Sequence, residues 1–195
     1  FFFYLKFGVK LIDEKLHGIF FTPLMQKFRK KYVIIKKIEL FYRIKGALFM
    51  KVAIACDHGG FELKQEILGL LKDMNVEFED FGSYDSCAVD YPDYAFKVSE
   101  SVAAGQFDRG ILICGTGIGI SIAANKVKGI RCALVHDLFS AKATREHNDS
   151  NVLAMGGRVI GPGLAREIVS VWLTTEFMGA HHTARIEKIS KYENA

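Results

Sequence analysis

No run of this chain reaches the ~18 uninterrupted apolar residues of a transmembrane helix, so no such span is expected. Its four cysteines, Cys56, Cys87, Cys114 and Cys132, include no C-x-x-C pair. That absence removes a thioredoxin motif and a zinc ribbon. Four thiols spread over 195 residues make no disulfide framework and fit a reducing cytoplasm. A single dominant charge is missing too, once the chain is divided. Residues 1–49 carry eleven Lys and Arg against three Asp and Glu, whereas residues 50–195 carry fifteen against nineteen. The net charge of +4 averages these two parts. The larger part is mildly acidic and gives no ground for a nucleic-acid partner.

The basic segment, residues 1–49, mixes Phe, Ile, Tyr and Lys without a steady helical or strand period, and basic clusters such as Lys27–Lys31 interrupt its apolar stretches. A signal peptide would place its charge before its apolar region, which this segment does not. A membrane-surface helix and a transit-type extension are both open readings. The preferred expectation is that translation naturally begins at Met50 and that residues 1–49 stand outside the native domain, poorly ordered. No membrane partner is expected.

What the chain does have is a hydrophobic half (50%) with a charged quarter (25%), a composition that supports a globular core. From Met50 the pattern becomes regular. Strands are predicted at Lys51–Cys56, Val76–Phe81, Gly110–Cys114, Ile130–Val135 and Asn151–Met155. Helices are predicted at Phe61–Met74, Tyr94–Ala104, Ile120–Lys126, Leu138–Glu146, Gly163–Thr174 and Ala184–Lys191. Alternating strands and helices imply right-handed βαβ units. The expected fold is therefore α/β, a Rossmann-like three-layer sandwich with a five-stranded parallel sheet. Ligands bind such sheets outside the carboxyl ends of the strands. That directs attention to the loops Asp57–Gly60, Gly82–Pro92, Cys114–Gly119, His136–Asp137 and Gly156–Arg158.

The most specific of these is Cys114-Gly-Thr-Gly-Ile-Gly-Ile-Ser121. Glycines let the backbone approach a ligand and turn N–H groups toward it, and a helix follows. The arrangement suits an anion, either phosphate or the oxygen of an enediolate. Three readings stand side by side. A dinucleotide fingerprint is incomplete, because Ile120 occupies the third glycine position, although Asp137 lies where a ribose-binding acid would be sought. Cys114, at a strand end beside a helix start, could act as a thiolate base. Cys114 could equally be a small buried hydrophobe.

Read in order, Ala55-Cys-Asp-His-Gly-Gly-Phe61, Asp90-Tyr-Pro-Asp93, Cys114-Gly-Thr-Gly-Ile-Gly-Ile-Ser-Ile-Ala-Ala-Asn-Lys126 and Glu146-His-Asn-Asp-Ser-Asn-Val152 resemble the type B ribose-5-phosphate isomerases of the wider ribose/galactose isomerase group. The resemblance runs from Met50 nearly to the end. It implies interconversion of ribose 5-phosphate and ribulose 5-phosphate through a cis-enediolate, within the non-oxidative pentose phosphate pathway. Cys114 then matches the base, with Thr116 as its polar neighbour. Gly115, Gly117, Gly119 and Ser121 match the loop that holds the enediolate. Asp57 and Tyr91 match groups on sugar hydroxyls, and His147, with Asn148 beside it, the acid/base that opens the furanose ring. His58, Arg158 and Arg185 match phosphate contacts. No metal or other cofactor is implied.

Each assignment has a plainer rival. Asp57 could cap the helix that follows, Tyr91 could be a turn aromatic, and Arg158 and Arg185 could be solvated surface charges. His181 stands where many relatives have arginine, which bears on phosphate affinity. Galactose-6-phosphate or allose-6-phosphate isomerisation and a non-enzymatic nucleotide module are the alternative functions. Finally, the predicted helix Leu138–Glu146 runs back from the carboxyl edge of the sheet and carries His147 about 13 Å away from it. The expected active unit is a homodimer, or a dimer of dimers, with sites shared between chains.

Overall fold

The computed structural model describes residues 50–195. The expectation for residues 1–49 lies outside the described residues. The elements are β1 (Lys51–Cys56), a 3-10 turn (His58–Gly60), α1 (Phe61–Asp73), β2 (Glu77–Asp80), α2 (Tyr91–Ala103), β3 (Arg109–Cys114), α3 (Ile118–Ala124), β4 (Cys132–Leu134), α4 (Leu138–Asn148), β5 (Val152–Gly156), α5 (Pro162–Thr174) and α6 (His181–Glu193).

The five strands form one parallel sheet in the order β2-β1-β3-β5-β4. The central strands are buried on both faces, and for that reason they read as unbroken apolar runs. Val52, Ile54, Ile111, Ile113, Leu153 and Met155 join Ile67, Leu71, Ile168 and Trp172 of α1 and α5 on one face. Ala53, Ala55, Leu112 and Ala154 join Ala95, Val98, Ile120 and Ala124 of α2 and α3 on the other. This is the three-layer sandwich expected from the sequence.

Several predicted boundaries move, each for a local reason. α2 starts at Tyr91, because Pro92 stands at the head of the helix, where a missing N–H costs nothing. Tyr91 is therefore a helical residue and not a loop residue. α4 continues through His147 and Asn148 and stops at Asp149, whose backbone is left-handed. α3 and α6 both start earlier than predicted, at Ile118 and His181. β4 shrinks to three residues, since only β5 pairs with it. On its open side the Asn125 side chain takes the place of a neighbouring strand. Its Oδ1 accepts from the Cys132 N–H at 2.8 Å and its Nδ2 donates to the Cys132 carbonyl at 2.9 Å.

Lys64 of α1 is fully buried. Its ammonium donates to both carboxylate oxygens of Asp80, at 2.7 and 2.8 Å, and to the Ser83 carbonyl at 2.7 Å. All three ammonium protons are thereby used, and the loop after β2 is tied to α1.

Candidate active site

The loops after β1, β3 and β5 meet backbone against backbone. A Cβ at Gly59 would stand 3.0 Å from Gly115 Cα, and one at Gly157 would stand 2.7 Å from the Gly59 carbonyl oxygen. The Gly157 N–H donates to the Cys114 carbonyl at 2.8 Å and the Arg158 N–H to the Gly115 carbonyl at 3.0 Å. Glycine is required at these crossings because any side chain would push the three loops apart.

Cys114 ends β3 at this junction and is almost wholly buried. Its Sγ accepts the Gly117 N–H at 3.0 Å. Gly117 is left-handed, φ 79°, and opens α3. A charged acceptor gains more from such a bond than a neutral one. The other sulfurs stand elsewhere and in different surroundings. Burial pushes Cys56 up to about 11 and Cys132 up to about 12. Cys87 is also raised, first by its hydrogen bond with Asp85.

Around Cys114 the expected residues are placed unequally. Tyr91 lies across Gly119, where an added Cβ would come within 2.7 Å of its ring and 3.0 Å of its hydroxyl. The Arg158 side chain lies along Gly115, 3.6 Å from where a Cβ on that residue would stand. Asp57 is buried, and its Oδ1 accepts the Gly60 N–H at 3.1 Å. Asp57 thereby caps the 3-10 turn, whereas α1 itself has Gly60 at its N-cap and no side-chain cap. Its second oxygen takes no hydrogen bond among the described residues. His58 Nδ1 accepts the Val89 N–H at 3.3 Å, which leaves the ring proton on Nε2 and ties the 3-10 turn to the loop before Tyr91.

Two hydroxyls are turned elsewhere. Thr116 Oγ1 accepts the Ile118 N–H at 3.3 Å and makes no hydrogen bond to the Cys114 sulfur. Ser121 Oγ donates to the Ile118 carbonyl at 2.8 Å, inside its own helix.

His147, Asn148 and Arg185 gather at the other edge of the sheet. Asn151, three residues past Asn148, accepts the Gly110 N–H on its carbonyl at 2.9 Å, at the beginning of β3. Four residues of extended chain separate Gly110 from Cys114, about 13 Å. One chain does not bring His147 to its own Cys114. The His147 ring stacks on His182, with centroids 4.4 Å apart and 11° between planes, and His181 lies 4.0 Å from His182. His182 is held below the usual imidazole range, by burial first and then by His181, His147 and Arg185. Neither Arg158 nor Arg185 forms an ion pair among the described residues.

Sequence reasoning missed His182, and its only signal was the His-His pair at the helix start. It also missed Lys64, which the helical pattern gives no reason to bury. Among the described residues no group of three His, Cys, Asp or Glu side chains could hold a metal ion.

The family model described as Ribose/Galactose Isomerase matches residues 52–189. The chain belongs to the ribose/galactose isomerase family. A Bacillus subtilis member with a provisional sugar phosphate isomerase assignment is 68% identical over 145 residues, covering 74% of this chain and 97% of that protein. Ribose-5-phosphate isomerase B of Escherichia coli is 50% identical, covering 73% and 96%. The solved structure of Clostridium thermocellum ribose-5-phosphate isomerase B superposes with a TM-score of 0.73 at 52% identity, covering 74% of this chain and 98% of that one. The match begins two residues after Met50, at the point where the sequence pattern changes, and it takes in both the Cys114 loops and the histidine cluster.

Proposed function

We propose that this chain interconverts ribose 5-phosphate and ribulose 5-phosphate, with Cys114 as the base. The thiolate removes the C2 proton of the open-chain aldose. The electron pair forms the C1–C2 double bond of a cis-enediolate as the carbonyl pair moves onto O1. The O2 proton passes to O1, and the same proton carrier then protonates C1 while C2 becomes the carbonyl. Backbone N–H groups of Gly115–Gly119 stabilise the oxyanion as it develops. Asp57 and Tyr91 hold sugar hydroxyls. His147 opens the furanose ring, with Asn148 beside it. His58, Arg158 and Arg185 grip the phosphate. The observation that carries the reading is the Gly117 N–H held on Sγ at 3.0 Å, where three glycine loops converge. Thr116 assists only if its hydroxyl leaves the Ile118 N–H and turns toward the sulfur.

The separation of His147 from Cys114 supports a homodimer in which each site draws His147 and Arg185 from the partner. An isologous pair brings one chain's amino edge to the other's carboxyl edge and makes two equal sites. Exposed apolar side chains beside the short edge strand, Ile118, Ile122, Leu134 and Phe139, are suited to cover such a contact. Four unpaired cysteines suit a cytoplasmic enzyme.

A coupled assay with five- and six-carbon sugar phosphates tests the assignment. The expected order is ribose 5-phosphate ahead of allose 6-phosphate and galactose 6-phosphate. Nucleotide binding with no turnover of any sugar phosphate would replace the proposal.

A further inference from the structure

Asp149, two residues beyond His147, holds the end of α4 in an unusual way. Its backbone is left-handed, φ 45° and ψ 46°, and its two carboxylate oxygens go to two different arginines. Oδ1 meets Arg145 Nη1 at 2.8 Å and Oδ2 meets Arg131 Nη2 at 3.2 Å. Arg145 is 2% exposed, and it also donates to the carbonyls of Ser150, at 2.6 Å, and Thr175, at 3.3 Å. Arg131 donates to the Asn148 carbonyl at 3.0 Å and to the Asp149 carbonyl at 2.8 Å. Three consecutive carbonyls, Asn148 to Ser150, are thus each taken by a guanidinium.

That is more than a helix end requires. A left-handed residue closes a helix by itself, and the Asp149 N–H already returns to the Arg145 carbonyl at 3.3 Å. Helix ends ordinarily fray. Here the last turn carries exposed His147, whose ring is stacked on buried His182. A fixed helix end below the imidazole and a buried ring beside it leave His147 little freedom of position.

We propose that the Arg145–Asp149–Arg131 clamp is a positioning device for His147 in ring opening. It rests on the reading of His147 as the ring-opening acid/base. Asp149 touches no substrate, and its effect passes through the placement of the imidazole.

The two directions of the reaction separate this role from a purely structural one. Ribose 5-phosphate is mostly a closed furanose and must be opened. Ribulose 5-phosphate has its O5 blocked by phosphate and stays open-chain, and an aldose released open closes unaided in water. Asp149→Asn keeps the size and the left-handed preference but gives up the charge shared by the two arginines. The readout is the steady rate at high enzyme concentration, because the ratio of kcat/KM in the two directions is fixed by the equilibrium constant. The expected result is a rate from ribose 5-phosphate that levels off as enzyme is raised, about 10- to 100-fold below the parent's, because unaided ring opening then limits it. The rate from ribulose 5-phosphate should stay proportional to enzyme. Arg131→Gln, at a half-buried position, should show the same ceiling in milder form and covers the case in which Asp149→Asn does not fold. His147→Ala is the reference. If His147→Ala shows no ceiling from ribose 5-phosphate, the ring-opening reading itself fails. If His147→Ala shows the ceiling while the folded clamp variants show none, the positioning role is overturned.

Discussion

At the scale of single residues, the cysteines divide by their surroundings. Cys114 faces the loop junction and holds an N–H, whereas Cys56 and Cys132 are kept neutral by burial. Cys114→Ser should lower kcat by at least ~100-fold with the melting temperature nearly unchanged, because a hydroxyl is too weak a base near neutrality. Isomerase assays beside thermal melts decide this, and substantial activity in the serine variant removes the thiolate mechanism. A separate effect belongs to alkaline pH. The folded-state values of Cys56 and Cys132 lie above those of the unfolded thiols, so an unfolded chain loses these protons first as pH rises. Stability should be fully present below the ordinary thiol range of ~8.5 and decline from there toward pH 11–12. Chemical denaturation at stepped pH should show that decline reduced in Cys132→Ala.

Residue placement was legible in the sequence where a short motif sets the local geometry. Cys114 with Gly117 and Asp57 with Gly60 are separated by only three positions, so their geometry is local. The hydroxyls of Thr116 and Ser121 were not legible, since either could face the loop or its own helix, and only rotamers choose. The His147–His182 stack joins residues 35 apart, and no periodicity links them.

At the scale of elements, the buried Lys64–Asp80 pair makes an asymmetric prediction. Asp80 is partly exposed while Lys64 is not. Asp80→Ala would leave an ammonium without a carboxylate inside the protein, expected to cost ~3–5 kcal/mol. Lys64→Met would fill the same space with an apolar chain, leaving Asp80 to water and the Ser83 carbonyl with only the weak Cys56 thiol donor at 3.9 Å, expected to cost ~1–3 kcal/mol. Equal losses in urea unfolding would show that the pair is not held by its charge. For α6, Arg185→Ala should raise KM for the sugar phosphate more than it lowers kcat, since phosphate is gripped alike in ground and transition states. An unchanged KM would take Arg185 out of the site, and His181→Arg should lower KM. The five strands and six helices from β1 onward were legible because buried parallel strands leave apolar runs and surface helices leave stripes. Their ends were less so. Pro92, which looked like a loop residue, stands at the start of α2, and the chain behind His147 stays helical until Asp149 turns it.

At the scale of the whole molecule, the shared-site proposal has a direct test. Cys114→Ser and His147→Ala proteins, each inactive alone, should recover activity when mixed under conditions of demonstrated subunit exchange, because some mixed pairs contain one intact site. Exchange without recovery would place both residues in one chain's site. The edges of the sheet bear on what kind of assembly is open to the chain. At one edge, β2 sets Glu77 and Glu79 within reach of Lys51. At the other, one amide side chain occupies both outward groups of Cys132. Charged side chains on one edge strand, and a short edge strand capped at Cys132 on the other, make poor templates for a strand from another chain, so copies are steered toward association through faces and corners. Asn125→Ala would reopen that margin beside exposed Leu134, and light scattering on warming should then rise at temperatures where the parent protein stays clear.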